Sequence, residues 1–162
     1  MVWQRGEFTV DDDRERLDME RVIEGLRTTY WAGERAASKI QEAWENSVLV
    51  FGLYENDKKL VGFARVISDL AIVSYLADVF LFEEYRGRGL GKWLVECTLD
   101  HPKLQTTRWL LQTRDMQNLY RKVGFLDADE MVMVRQRNQQ VLTIADESPG
   151  AEGESDKGQS IA

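Results

Sequence analysis

Glycines and cationic residues alternate in one short segment, Arg86-Gly87-Arg88-Gly89-Leu90-Gly91-Lys92, and that combination can hold an anion. Glycine lets a backbone turn tightly and come close to a ligand. The first N–H groups of a helix have no intrahelical partner and lie at the positive end of its dipole. A phosphate seated there would meet main-chain donors, the dipole and the charges of Arg86, Arg88 and Lys92. Spacing narrows the kind of phosphate site. A P-loop needs GxxxxGK followed by Ser or Thr, whereas Gly87 and Gly91 are one residue too close and Trp93 follows Lys92. A dinucleotide fingerprint needs GxGxxG, and here the third glycine comes one residue early. The segment alone therefore reads either as a phosphate loop of neither common nucleotide type or as a tight strand-to-helix turn with surface arginines.

A second segment, Leu119-Tyr120-Arg121-Lys122-Val123-Gly124-Phe125, follows about thirty residues later. In this order the two segments resemble the GNAT superfamily of acetyl-CoA-dependent N-acetyltransferases. Arg86–Gly91 is similar to that family's [QR]-x-x-G-x-[GA] pyrophosphate loop, and Leu119–Phe125 to its LYxKxGF segment. Leu81-Phe82-Glu83-Glu84-Tyr85-Arg86 resembles V-x-P-E-x-R without the proline. The likeness extends from about Glu7 to Arg135.

Acetyl transfer to an amine requires that the cofactor be held, the thioester carbonyl polarised, the amine deprotonated and the leaving thiolate protonated. The resemblance assigns acetyl-CoA to Arg86, Gly87, Arg88, Gly89, Leu90, Gly91 and Lys92, and thioester polarisation to main-chain N–H groups of Val79, Phe80 and Leu81 at a bulge. It makes Tyr120 the general acid, because a phenol with a pKa of about 10 is protonated at neutral pH. Asp78 is an acid in an otherwise apolar strand, which is costly unless it is paired or working. It is a candidate base or ammonium ligand; the alternative is a buried Asp paired with an arginine or a backbone amide. Tyr30 and Trp31 lie where relatives cover the acceptor pocket, and either contact substrate or pack on the sheet. Arg65 and Asp69 flank a strand end and either face the acceptor or pair with each other. Thr113 stands where many relatives carry an asparagine that touches the pantetheine arm. Gln117 takes a position often held by histidine, so it receives no acid–base role. His101, the one histidine, reads as a capping or surface residue, and Cys97, the one cysteine, as core. No metal site is expected from that inventory.

The elements that must position these residues follow from periodicity. Glu7 to Val10 reads as a short strand. Met19, Val22, Ile23, Leu26 and Tyr30 make a helical stripe, and Ala36 to Ser47 continue a second helix. Val48–Tyr54 and Leu60–Ile67 form a hairpin across Glu55-Asn56-Asp57-Lys58, and Val73–Phe82 is a central strand. Leu90, Trp93, Leu94, Cys97 and Thr98 mark a helix that His101-Pro102 ends. Arg108–Thr113 reads as a strand, Asp115 as the N-cap of a helix over Met116–Val123, Gly124 as its stop, and Met131–Arg135 as a late strand. The sum is an α+β chain. The resemblance implies the GNAT fold: a mixed, mostly antiparallel sheet flanked by helices and splayed between the strands ending near Leu81 and Thr113.

The chain has 162 residues, 43% hydrophobic and 30% charged, and a net charge of −7. That suits one domain, over residues 1–137, with a core of its own. Residues 138–162 are rich in acid, Gly and Ser and carry −4 of the charge; they read as a disordered tail. No basic stripe points to nucleic acid, and no apolar run is long enough for a membrane span. One cysteine excludes an intrachain disulfide. A cytoplasmic protein is expected, and the resemblance makes a homodimer a common state. The function implied is acetyl transfer from acetyl-CoA to a primary amine by direct attack in a ternary complex. The alternative is a GNAT-fold acyl-CoA sensor or interaction module with little turnover. The acceptor's identity is not written in any motif.

Overall fold

The structure, a computed structural model, describes residues 1–135. They divide into a compact unit, Met1–Leu126, and a stretch that begins at Asp127. In the first unit six strands form one sheet: β1 (Val2–Arg5), β2 (Phe8–Asp11), β3 (Leu49–Glu55), β4 (Lys59–Ser68), β5 (Val73–Leu81) and β6 (Arg108–Leu110). Their order across the sheet is their order in the chain. The first five are antiparallel neighbours, and β6 joins β5 in parallel. Parallel pairing needs a crossover, and α3 (Leu90–Leu99) supplies it. The remaining helices are α1 (Met19–Arg27), α2 (Ala37–Glu45) and α4 (Gln117–Arg121). The fold is the mixed sheet with flanking helices expected of the GNAT type.

Local chemistry explains the helices nearest the site. Asp18 caps α1 by accepting the Arg21 N–H (3.2 Å), and Val22, Gly25 and Leu26 form its buried face. Gly25 is needed for closeness: a Cβ there would fall 2.1 Å from the Phe80 ring. At the start of α3, Gly91 faces Leu81. Phe80 and Leu81 are successive residues of β5 and point to opposite faces, so α1 and α3 cover opposite faces of the sheet. Between them lies the core, centred on Val22, Leu26, Phe51, Leu53, Phe63 and Leu94.

Some elements differ from the sequence expectations. The strand β1 was not anticipated; it forms because Gly6, at φ +59°, turns the chain back into β2. The strand expected over Arg108–Thr113 stops at Leu110, where the chain parts from β5. Asp115 does not cap α4. The N-cap position is Met116, whose N–H donates to Thr113 Oγ1 (3.1 Å). Gly124, at φ +95°, does end that segment. His101 caps by accepting the Lys103 N–H, as expected, but it is buried rather than on the surface, with Nε2 2.9 Å from Asp12 Oδ2. In the stretch from Asp127, Met131–Arg135 is turn and irregular backbone and not a strand. The Asp129 carboxylate takes the Met131 N–H (3.0 Å), which closes the turn locally. The tail assigned to 138–162 lies outside the described residues. Among the described residues no helix is long and apolar enough to cross a membrane.

Candidate active site

The sheet opens where β5 and β6 part. They pair only from Val73 with Arg108 to Tyr75 with Leu110, and β5 then continues to Leu81 with no strand on that side. Just past the parting, β5 bulges. Phe63 pairs with Phe80 and Arg65 with Ala77, so Ala64 alone faces both Asp78 and Val79. Asp78 takes φ +49°, a left-handed conformation that costs a non-glycine residue on the order of 1–3 kcal/mol. The bulge thus begins at Asp78, one residue before the span Val79–Leu81 marked for thioester contact.

Two arginines hold that strained residue. Asp78 Oδ2 accepts from Arg65 Nε at 2.6 Å, across the sheet, and from Arg35 Nη1 at 2.9 Å, from the segment between α1 and α2. The Asp78 side chain is only 6% exposed. Arg65 also reaches Ser47 Oγ (3.2 Å). Arg65 therefore pairs with Asp78 and not with Asp69. Asp69 sits in the β4–β5 turn, where Oδ1 accepts the N–H groups of Ala71, Ile72 and Val73 at 2.8–3.0 Å. Those N–H groups, Ile72 foremost, pull its pKa down to about 2. Of this set, sequence patterns flagged Asp78 and Arg65; Arg35 was missed. A buried acid demands a cation, but 43 positions separate the pair and no local pattern links them.

The glycine loop lies at the far end of β5. Gly87 (φ +72°) and Gly89 (φ +76°) are both left-handed, with open space where a Cβ would stand. The first intrahelical bond of α3 runs from Trp93 N–H to Gly89 C=O (3.1 Å), so the N–H groups of Leu90, Gly91 and Lys92 precede any helical acceptor. This cradle fits a pyrophosphate. The cations around it are engaged locally: Arg86 Nε with the Leu81 carbonyl (3.1 Å), Arg88 with Glu7 and the Phe8 ring, and Lys92 with Glu96.

The wall opposite is α4. Leu119 and Leu81 both approach the position of a Gly91 Cβ, at 3.8 and 3.4 Å, so loop, strand end and α4 converge. The next residue, Tyr120, packs edge-on against Phe125 at 5.8 Å. Burial, aided by Tyr30 and Asp115, pushes the Tyr120 phenol up to about 12. It therefore holds its proton at neutral pH. Thr113 lies in the β6–α4 connection, with its Oγ1 accepting the Met116 N–H.

Tyr30 and Trp31 do not pack into the core. They are 50% and 42% exposed and meet edge-on at 4.9 Å. The Tyr30 hydroxyl accepts the Arg114 main-chain N–H (3.2 Å), and the Arg114 guanidinium lies 3.6 Å over the Tyr30 ring. The segment between α1 and α2 is thus tied to β5 through Arg35 and to the β6–α4 connection through Tyr30. Cys97 is buried on α3, where burial raises its thiol to about 12. Among the described residues no group of three His, Cys, Asp or Glu is placed to hold a metal ion.

Comparison with known proteins agrees with this layout. A GNAT-family protein of Xanthomonas campestris pv. campestris superposes with a TM-score of 0.75 at 36% identity, covering 83% of this chain and 96% of that one. The acetyltransferase-like protein FG08082 of Gibberella zeae is 28% identical over 152 residues, which is 79% of this chain and 84% of the relative. An N-acetyltransferase-type protein, ycf52, of Gracilaria tenuistipitata var. liui is 30% identical over 114 residues, 67% of this chain and 60% of its own length. Residues 18–125, from the cap of α1 through the glycine loop to Phe125, match the Acetyltransferase (GNAT) family; the chain belongs to that family of acetyltransferases.

Proposed function

We propose that the chain transfers an acetyl group from acetyl-CoA to a primary amine by direct attack in a ternary complex. One N–C bond forms and one C–S bond breaks. The observation that carries this reading is the convergence of the glycine loop, the end of β5 at Leu81 and α4 beyond the parting of β5 and β6. Acetyl-CoA, when bound, supplies the activated acyl group and a thiolate leaving group. Gly87 to Lys92 offer main-chain donors to its pyrophosphate. The strand beyond the bulge, Val79 to Leu81, offers main-chain groups along the pantetheine arm and at the thioester oxygen. Thr113 lines the other side of the opening. Tyr120 Oη delivers its proton to the departing sulfur. The buried, protonated Cys97 supports direct transfer over a covalent acyl-enzyme.

Tyr30 and Trp31 form the acceptor wall, and Arg65 acts on that wall through Asp78. Asp78, held by two guanidinium groups, serves as an anchor, with the amine proton leaving to water. Asp69 is read as the former of the β4–β5 turn. The test is release of free CoA thiol with a panel of small amines, amino acids and peptide amines. Turnover that falls at least a hundredfold in Tyr120→Phe supports the reading; general acid–base groups contribute about 10²–10⁴. Acetyl-CoA binding with no thiol release on any amine overturns it in favour of an acyl-CoA sensor.

A further inference from the structure

The segment from Thr28 to Ala36 is folded mainly on itself. Gly33 N–H bonds to Thr29 C=O and Arg35 N–H to Ala32 C=O, both at 3.0 Å, while Ala32 is 2% exposed. Its long-range polar ties are at its two ends. Tyr30 holds the β6–α4 connection through the Arg114 N–H, and Arg35 holds the β5 bulge through Asp78. These two anchor points lie on opposite sides of the opening between β5 and β6. The segment is thus a strap across the mouth of the cleft, with Tyr30 as one fastening, Arg35 as the other and the exposed Trp31 between them.

We propose that Arg35 is a positioning residue for the acceptor amine: by gripping Asp78 at the bulge, it fixes the Tyr30–Trp31 strap over the cleft and registers the acceptor against the thioester-binding strand. The inference rests on the acetyltransferase reading for its kinetic consequence, but not for its structural one. The grip joins the two halves of the reaction mechanically. Asp78 belongs to the strand that meets the acyl donor, and Arg35 to the segment that meets the acceptor. Arg65 keeps Asp78 charge-compensated when Arg35 is absent, so Arg35 can be removed without stranding a buried carboxylate.

The test compares Arg35→Ala and Arg35→Lys with the wild-type chain. In Arg35→Ala, amide hydrogen exchange over residues 28–36 should quicken by about tenfold or more, with β3 and β4 unchanged. The acceptor KM should rise about tenfold, kcat should fall by less than about threefold, and the acetyl-CoA Kd from calorimetry should hold within about twofold. Arg35→Lys, which keeps a donor within reach of Asp78, should recover part of both effects. Unchanged exchange over 28–36, or an acceptor KM that moves no more than the acetyl-CoA Kd, overturns the proposal. Should no amine be acetylated at all, the exchange measurement still decides whether Arg35 holds the strap, so failure of the inference is distinct from failure of the proposed reaction.

Discussion

Tyr30 and Arg114 grip each other twice: the Tyr30 hydroxyl accepts the Arg114 main-chain N–H at 3.2 Å, and the Arg114 guanidinium stacks 3.6 Å from the Tyr30 ring centre. A neutral hydrogen bond contributes about 1 kcal/mol net and an exposed cation–π contact about 0.5–1 kcal/mol. Tyr30→Phe removes the first and keeps the second. It should lower kcat/KM for the acceptor about fivefold, whereas Tyr30→Ala should lower it more than about tenfold. Steady-state kinetics with the amine varied at saturating acetyl-CoA would show this. Equal effects of the two substitutions would mean that only the hydroxyl matters.

Tyr120 should not limit the rate at ordinary alkaline pH. Its pKa is raised to about 12 by burial, with smaller contributions from Tyr30 and Asp115, so the acid form persists well above neutrality. With Tyr120 as the proposed general acid, activity should depend on that protonated form and be lost only as pH rises toward the raised value. The kcat profile should therefore climb with amine deprotonation and show no descending limb attributable to Tyr120 below about pH 10. A descending limb near pH 8 that Tyr120→Phe abolishes would contradict this.

These two sites differ in how far the sequence exposed them. Tyr120 sits in a contiguous segment with its own stop signal at Gly124, so both its place and its helix were legible. The strands β3, β4 and β5 were legible too, as apolar runs around the turn at Asn56 and Asp57. The grip of Arg35 on Asp78 was not, because it depends on a bulge that turns Asp78 out of strand geometry and on a loop brought across the sheet. Strand β1 escaped notice because Val2–Arg5 is short and mostly exposed, and only Gly6 hints at the hairpin. At Asp115 a good capping residue goes unused: the N-cap position falls one residue later on Met116, which makes no side-chain cap bond, and the Thr113 hydroxyl takes the Met116 N–H. Local propensity ranks caps but does not choose between neighbours.

Gly25 should tolerate no side chain while Phe80 remains. Alanine there would gain up to about 1 kcal/mol of helix propensity, yet its methyl meets the Phe80 ring at 2.1 Å. Overpacking costs about 1–3 kcal/mol and should win, lowering Tm. Thermal unfolding of Gly25→Ala, Phe80→Leu and the double variant would show coupling between the two sites, because the smaller ring-free side chain leaves room for the methyl. Additive losses would argue against the contact.

Gly89 should be needed for backbone conformation rather than for space. It sits at φ +76° with nothing near a Cβ. Gly89→Ala should cost about 1–2 kcal/mol in the left-handed region and weaken acetyl-CoA binding about tenfold. Gly89→Asn, which tolerates that region better, should lose less on both counts. Calorimetric titration with acetyl-CoA would rank the three proteins, and an alanine variant that binds as tightly as asparagine would count against a conformational cause.

Asp69 should titrate near pH 2. Its pKa is depressed to about 2 by the N–H groups of Ile72, Val73 and Ala71. A depressed acid stabilises the fold above its unfolded pKa of about 4, and that contribution disappears as pH falls through about 2. Carboxyl chemical shifts followed by NMR between pH 5 and pH 1 would check the midpoint. A midpoint near 4 would show that the turn is open in solution.

The sheet's strand order carries a consequence for how the chain reaches this state. Strands β1 to β5 are paired so that each later strand adds to the edge left by the one before, and β3, β4 and β5 are joined by short turns. Strand β6 must wait for a parallel crossover through α3 before it can find Val73 to Tyr75, and β2 meets β3 only across the segment that holds α1 and α2. Loop-closure entropy makes such non-local pairing the slow step of assembly. The opening between β5 and β6 therefore depends on a pairing that local turns cannot make, whereas the β3–β4–β5 meander beside it can form from neighbouring residues alone.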